Sequence, residues 1–158
     1  MKGEGMEKTK IQFKVLRESL GLTSENIASA IGLKEGTVRA WDNPNRTDMR
    51  PSQAGWDYLA KVAAKQSEIG TRALNELYGF AESHGLADED VTLVLVYYRN
   101  QKDYEGDGRS GSYAVHNATM RALMSVVSSC GGEVQFIEHS VDGNYDVTGI
   151  NNPVLFLT

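Results

Sequence analysis

The sequence predicts a mainly α front of four or five helices followed by a small α+β unit. Three observations predict it. Apolar residues recur at helical spacing from Phe13 to Ala81, and after Gly85 the pattern changes to β-branched and aromatic runs of strand length. Charge also divides the chain. Residues 1–66 carry 11 Lys and Arg against 8 Asp and Glu, whereas residues 67–158 carry 5 against 13, so a front of +3 is joined to a rear of −8. We therefore expect a first domain over residues 8–66, a connecting helix over 67–86 and an α+β domain over 87–158. A basic front gives the molecule a preferred face toward a polyanion, although an excess of three charges is modest.

Phe13, Leu16 and Leu20 form one helical stripe, and Gly21 follows where a left-handed cap is wanted. Thr23 stands at the N-cap of a second helix with Ile27, Ala28 and Ile31 as its apolar face, ended by Gly32. A third helix spans Lys34 to Trp41, with Val38 and Trp41 one turn apart. The cluster Asn43-Pro44-Asn45 opens a loop that runs to Arg50, and Pro51 suits the first turn of a new helix. Trp56, Leu59, Ala60 and Ala63 line one face of that helix. Ala73, Leu74, Leu77 and Ala81 continue it, either without interruption or after a break at Gly70. In the rear, Val91–Tyr98 reads as a strand, Asn100–Gly111 as a polar, Gly-rich loop, and Ser112–Ser129 as a helix presenting Met120, Leu123, Met124 and Val127. Glu133–Ser140 alternates as a strand, Asp142-Gly143 signals a hairpin into Tyr145–Thr148, and Val154–Leu157 is a last short strand.

Hydrophobic residues make up 41% and charged residues 23%, which argues for a packed core over disorder. No apolar run reaches the ~18 residues of a membrane span, and the first ten residues lack the apolar stretch of a secretory signal, so a cytoplasmic address is expected. The single cysteine, Cys130, excludes an internal disulfide and a Cys-rich zinc site. His84, His116 and His139 have no helical metal-site spacing, so we expect no metal, no cofactor and no enzymatic activity. Gly106-Asp-Gly-Arg-Ser-Gly111 does match the glycine pattern of dinucleotide-binding turns. Asn100 to Glu105 separate it from its strand, Asp103, Glu105 and Asp107 would repel a pyrophosphate, and the following strands read as a hairpin, so a mobile loop is the better reading. Tyr97-Tyr98 and the methionines at 120 and 124 read as core or interface.

Two short helices joined by a tight turn, the second held by a large aromatic, suit a mechanical task. The first helix braces on the DNA backbone while the second enters the major groove. Ala28 permits close approach, Gly32 supplies the turn, Leu33 and Val38 plug the corner, and Trp41 anchors the far end. The pairs Ile27-Ala28, Gly32-Leu33 and Trp41-Asp42, with Val38 between them, stand at the spacing of the Cro/lambda-repressor-like (XRE-type) helix-turn-helix family, which Phe13 to Leu59 resembles. The resemblance implies a mainly α helix-turn-helix bundle that reads double-stranded DNA. Base edges would fall to Glu35, Gly36, Thr37, Arg39 and Ala40: Arg39 suits a guanine, Glu35 a cytosine amino group, and Thr37 a phosphate or a thymine methyl. Lys34, Asn45, Arg46 and Arg50 would meet phosphates, as would Ser24, which stands where the family often has a phosphate-clamping Gln. Lys34 is a second departure, since the family usually caps this helix with Ser or Thr.

A lone helix-turn-helix buries too little surface for specific binding, so a homodimer on a palindromic site is expected, with the acidic rear as its dimerisation element. The layout is also similar to small repressors of that family with an α/β C-terminal dimerisation domain, anti-CRISPR-associated autorepressors among them. The expected function is a transcriptional regulator, a repressor in preference to an activator. Two alternatives stay open: an antitoxin or phage regulator whose rear binds protein, and an effector- or cofactor-binding rear with a helical front used for protein contacts.

Overall fold

The computed structural model describes residues 8–150 and 152–157. The leader reading concerns residues 1–7 in the main, which lie outside that range. The helices are α1 (Lys10–Ser19), α2 (Ser24–Ile31), α3 (Glu35–Asp42), α4 (Gln53–Ser83), α5 (Gln101–Gly106) and α6 (Tyr113–Ser129); the strands are β1 (Thr92–Tyr97), β2 (Glu133–Glu138) and β3 (Val154–Leu157). Helices thus precede a small sheet, the class that the periodicities predict. The chain divides into two compact units, Met1–Ala64 and Lys65–Thr158.

In the first unit, local chemistry sets each helix end. Thr9 accepts a hydrogen bond from the Gln12 amide to start α1. Thr23 and Asn26 form a reciprocal capping box at α2, the Thr23 hydroxyl accepting from the Asn26 amide at 3.1 Å and the Asn26 side chain from the Thr23 amide at 2.9 Å. Gly32 ends α2 at φ +72°, a left-handed conformation that glycine adopts without steric cost. The Leu33 amide then donates to the Ala28 carbonyl at 2.9 Å, closing the turn before α3. Phe13, Leu20, Leu22, Ile27, Ala28, Val38, Trp41 and Leu59 are buried. Phe13 meets Trp41 and Trp56 edge-on, with centroids 5.5 and 5.1 Å apart. Two details differ from expectation. Leu33 is 41% exposed and does not plug the corner, because Val38, on the inward face of α3, already fills it. Ala60 is exposed, one residue beyond the inward Leu59. Gly70 makes no break in α4.

The second unit holds a three-stranded sheet in the order β2-β1-β3, with both outer strands parallel to β1. This replaces the expected hairpin. Leu93 registers with Val134 and Leu155, and Leu95 with Phe136 and Leu157. These side chains pack with Ala73, Leu77 and Ala81 of α4 and with Met120, Leu123 and Val127 of α6. The unbroken apolar run of β1 is the mark of a central parallel strand buried on both faces. Asp142-Gly143 does turn, with Gly143 at φ +67°, but inside the connection from β2 to β3, and Tyr145–Thr148 forms no strand. Tyr145 instead packs beside Val96, Tyr98, Tyr104 and Ile137. The segment 100–111, expected as a mobile loop, contains α5. Asn100 caps it by accepting from the Asp103 amide at 2.9 Å, and buried Tyr104 anchors it.

Candidate nucleic-acid interface

Helix α3 presents one face outward because its two largest apolar residues leave on the other. Val38 and Trp41 are 0% and 2% exposed and stand 60° apart at 100° per residue, so the opposite side falls to Gly36, Arg39 and Ala40, flanked by Glu35 and Thr37. Lys34, Gly36 and Arg39 are exposed, and Glu35, Thr37 and Ala40 half-buried. Five of the sequence-derived candidates thus share one helix start and one outer face: Lys34, Glu35, Gly36, Thr37 and Arg39. Lys34 is the N-cap residue but supplies no side-chain cap, as its lack of an oxygen requires. Gly36 has no neighbouring atom within 4 Å of where a Cβ would stand, so the backbone there is open to close approach.

Charges on this face are partly paired. The Arg39 guanidinium reaches Glu35 across one helical turn at 2.5 Å, with the side chains 71% and 39% exposed. Arg46 forms a two-pronged bond to Asp48 at 3.0 and 3.1 Å, which holds the Asp48 carboxyl below, and the Arg46 guanidinium above, its ordinary range. Asn45 lies in the same loop, its amide donating to the Asn43 side chain at 2.9 Å. Ser24 is half-buried at the first position of α2. Arg50 is exposed.

Two supports of this face were not singled out from the sequence. Arg17 of α1 reaches Asp42, the last residue of α3, at 2.7 Å and also donates to the Leu22 carbonyl at 2.9 Å. The ammonium of Lys10 donates to the carbonyls of Ala40, Asn43 and Arg46 at 3.1, 2.7 and 2.5 Å, pinning the loop that leaves α3. A cation against the last carbonyls of a helix complements its negative end. The acidic residue after Trp41 was the available signal for the first. The second depends on carbonyls, which no side-chain pattern reports.

In the second unit, the Gly106–Gly111 segment closes on β1. The Tyr98 hydroxyl donates to Asp107 at 2.5 Å and accepts from Arg109 at 2.9 Å, while the His139 ring lies stacked on Tyr98 and within 3.5 Å of Asp107. Burial, then the bond to Asp107, pushes the Tyr98 hydroxyl up to about 12. The bond from Tyr98, together with His139 and Arg109, holds the Asp107 carboxyl below its ordinary value. Burial lowers His116. Among the described residues no three His, Cys, Asp or Glu side chains group to hold a metal ion, and no helix is long and apolar enough to cross a membrane. Compared with known proteins, the chain matches no family model and no curated protein.

Proposed function

We propose that the chain is a sequence-specific DNA-binding regulator of transcription, acting in the cytoplasm as a homodimeric repressor on a palindromic operator. One observation carries the reading. The short helix α3 is anchored from behind by Val38 and Trp41, and turns outward a face of Gly36, Arg39, Glu35 and Thr37 that no other described residue of its own unit covers deeply. A helix of this size, supported at a tight turn by a preceding helix, fits the major groove, and Arg and Glu side chains are matched to guanine and cytosine edges. Lys34, Arg46, Asn45 and Ser24 would position it on phosphates. Selection of bound sequences from a random duplex pool, followed by mass determination of the complex, tests the reading. A symmetric motif with two chains bound is the expected result. Arg39→Ala should relax preference at one base pair per half-site, at a cost of about 1–3 kcal/mol there. A molecule that ignores every duplex in dilute buffer would refute it.

A second reading of the rear unit has its own observation. In the order β2-β1-β3, the second and third strands lie on opposite sides of β1, and ligands of open parallel sheets bind beyond the strand C-terminal ends at such switch points. Tyr98 and His139 stand just past the ends of β1 and β2, and the buried His139 Nδ1 has no partner among the described residues. A small effector there would alter duplex affinity when added, and His139→Ala would abolish the response.

A further inference from the structure

We infer that a cleft of about 380 Å³ in the first unit, away from the outer face of α3, is a phosphate-binding site. Its walls include Lys8, Lys10, Thr47, Arg50, Gln53 and Trp56, and among the described residues that line it there is no carboxylate. At ~30 Å³ per water the cleft has room for about a dozen, enough for a phosphate with its ester substituent. Lys8 and Arg50 have no carboxylate partner among the described residues, whereas Lys10 also feels the charge of Asp48. Lys10 is bonded to three neutral carbonyls, and Lys8 donates to the Gln53 amide oxygen at 3.2 Å with its ammonium 5.9 Å above the Trp56 ring. Arg50 is exposed, and its guanidinium has no partner among the described residues. Among the described residues of the flanking segments, Asp48 is held by Arg46, and Asp57 accepts from the side-chain amide nitrogen of Gln53 at 2.8 Å.

Three like charges around one cavity repel each other, and an anion of several oxygens recovers that cost. A phosphate fits better than a carboxylate. It offers oxygens to a planar guanidinium fork and to an ammonium at once. Gln53 is also the first residue of α4, so the positive end of a 31-residue helix opens on the same wall. The phosphate has two possible sources, the backbone of a duplex or a free phosphorylated small molecule. The inference does not rest on α3 reading bases.

Inorganic phosphate is titrated at constant ionic strength while the two indole N–H signals are followed by NMR. The Trp56 signal should shift saturably, while Trp41, 2% exposed, serves as the unmoved control. The double variant Lys8→Ala/Arg50→Ala, which changes two exposed side chains, should weaken the effect about tenfold. In a second arm the same variant is tested on the duplex selected by the full chain. Loss of two backbone phosphates would reduce the salt slope by nearly two, about 0.9 for each. Saturable phosphate shifts with an unchanged slope assign a free phosphorylated ligand; a reduced slope assigns the duplex backbone. If phosphate leaves Trp56 unmoved and the slope is unchanged, the site is refuted, whatever Arg39→Ala does to base preference. A chain that binds no duplex leaves the first arm to decide alone.

Discussion

Removing the Asp42 carboxylate should destabilise the first unit far more than removing it together with its partner. Arg17 and Asp42 are 12% and 19% exposed, and their closest atoms are 2.7 Å apart. At an effective dielectric of ~20 that attraction is about 6 kcal/mol before the cost of desolvating both ions, which takes most of it back. The pair is also incompletely satisfied, since Arg17 Nε and Asp42 Oδ1 are buried without partners among the described residues. Its net worth against an apolar replacement is therefore small, while removing Asp42 leaves the largely buried Arg17 with only the exposed Glu18 carboxylate, 3.5 Å away, and the Leu22 carbonyl. We expect Asp42→Ala to cost about 3 kcal/mol, the low end for buried pairs because some solvent reaches both side chains. Arg17→Met should cost at least as much, because it strands a carboxylate at the negative end of α3 and frees the Leu22 carbonyl. The double variant should lose only about 1 kcal/mol, chiefly for that carbonyl. The assay is urea unfolding at pH 7 followed by tryptophan emission. Both tryptophans, Trp41 and Trp56, lie in the first unit, so the signal reports it without contribution from the second. Additive single-variant costs, or a loss below ~1 kcal/mol for Asp42→Ala, would refute the reasoning.

Gly55→Ala should destabilise although alanine is the better helix former, because its Cβ would stand 2.8 Å from Trp41 Cζ3; a cost of about 1–3 kcal/mol in the same emission assay checks it. Lys10→Met should cost about 2 kcal/mol by releasing three carbonyls, and should speed hydrogen exchange at the Arg46 and Met49 amides, whose acceptors lie in that loop. His116 has its pKa lowered by burial, so unfolding takes up a proton as pH falls below the ordinary histidine value of 6.5. Stability of the second unit should accordingly be full above that pH and decline below it, with His116→Gln flattening the decline in circular dichroism melts.

The helical front was legible because its signals are local. A capping residue such as Thr23, a left-handed glycine such as Gly32, and the Val38–Trp41 spacing each report on a few neighbouring residues. The rear unit was misread where pairing is not local. Asp142-Gly143 carries a genuine turn signal, yet a turn does not decide which strand its flanks join. β3 lies beside β1, some sixty residues earlier, because only β1 offers a strand apolar on both faces. The burial of β1 was itself in the sequence, as an apolar run with too little alternation for a half-exposed hairpin strand. α5 was hidden by its polar composition: its one buried residue is Tyr104, and its other anchors are polar contacts, the Asn100 cap and the bonds of Gln101 to Gly111 and Tyr113. On the candidate interface, residue identities placed the outer face of α3, whereas Lys10 and Arg17 escaped because their partners come from distant segments.

Under the role proposed for α3, Arg39 must leave Glu35 to reach a base, and the magnitudes allow it. An exposed ion pair one helical turn apart is worth about 0.3–0.5 kcal/mol, and with Arg39 71% exposed nothing here raises that figure. A two-pronged contact between an arginine and a guanine edge discriminates by about 1–3 kcal/mol. Release of Arg39 from Glu35 therefore costs less than the contact returns. Once Arg39 is released, the Glu35 carboxylate would be open to a cytosine amino group, so under the proposed role the two side chains would favour a G·C-containing step over an A·T one.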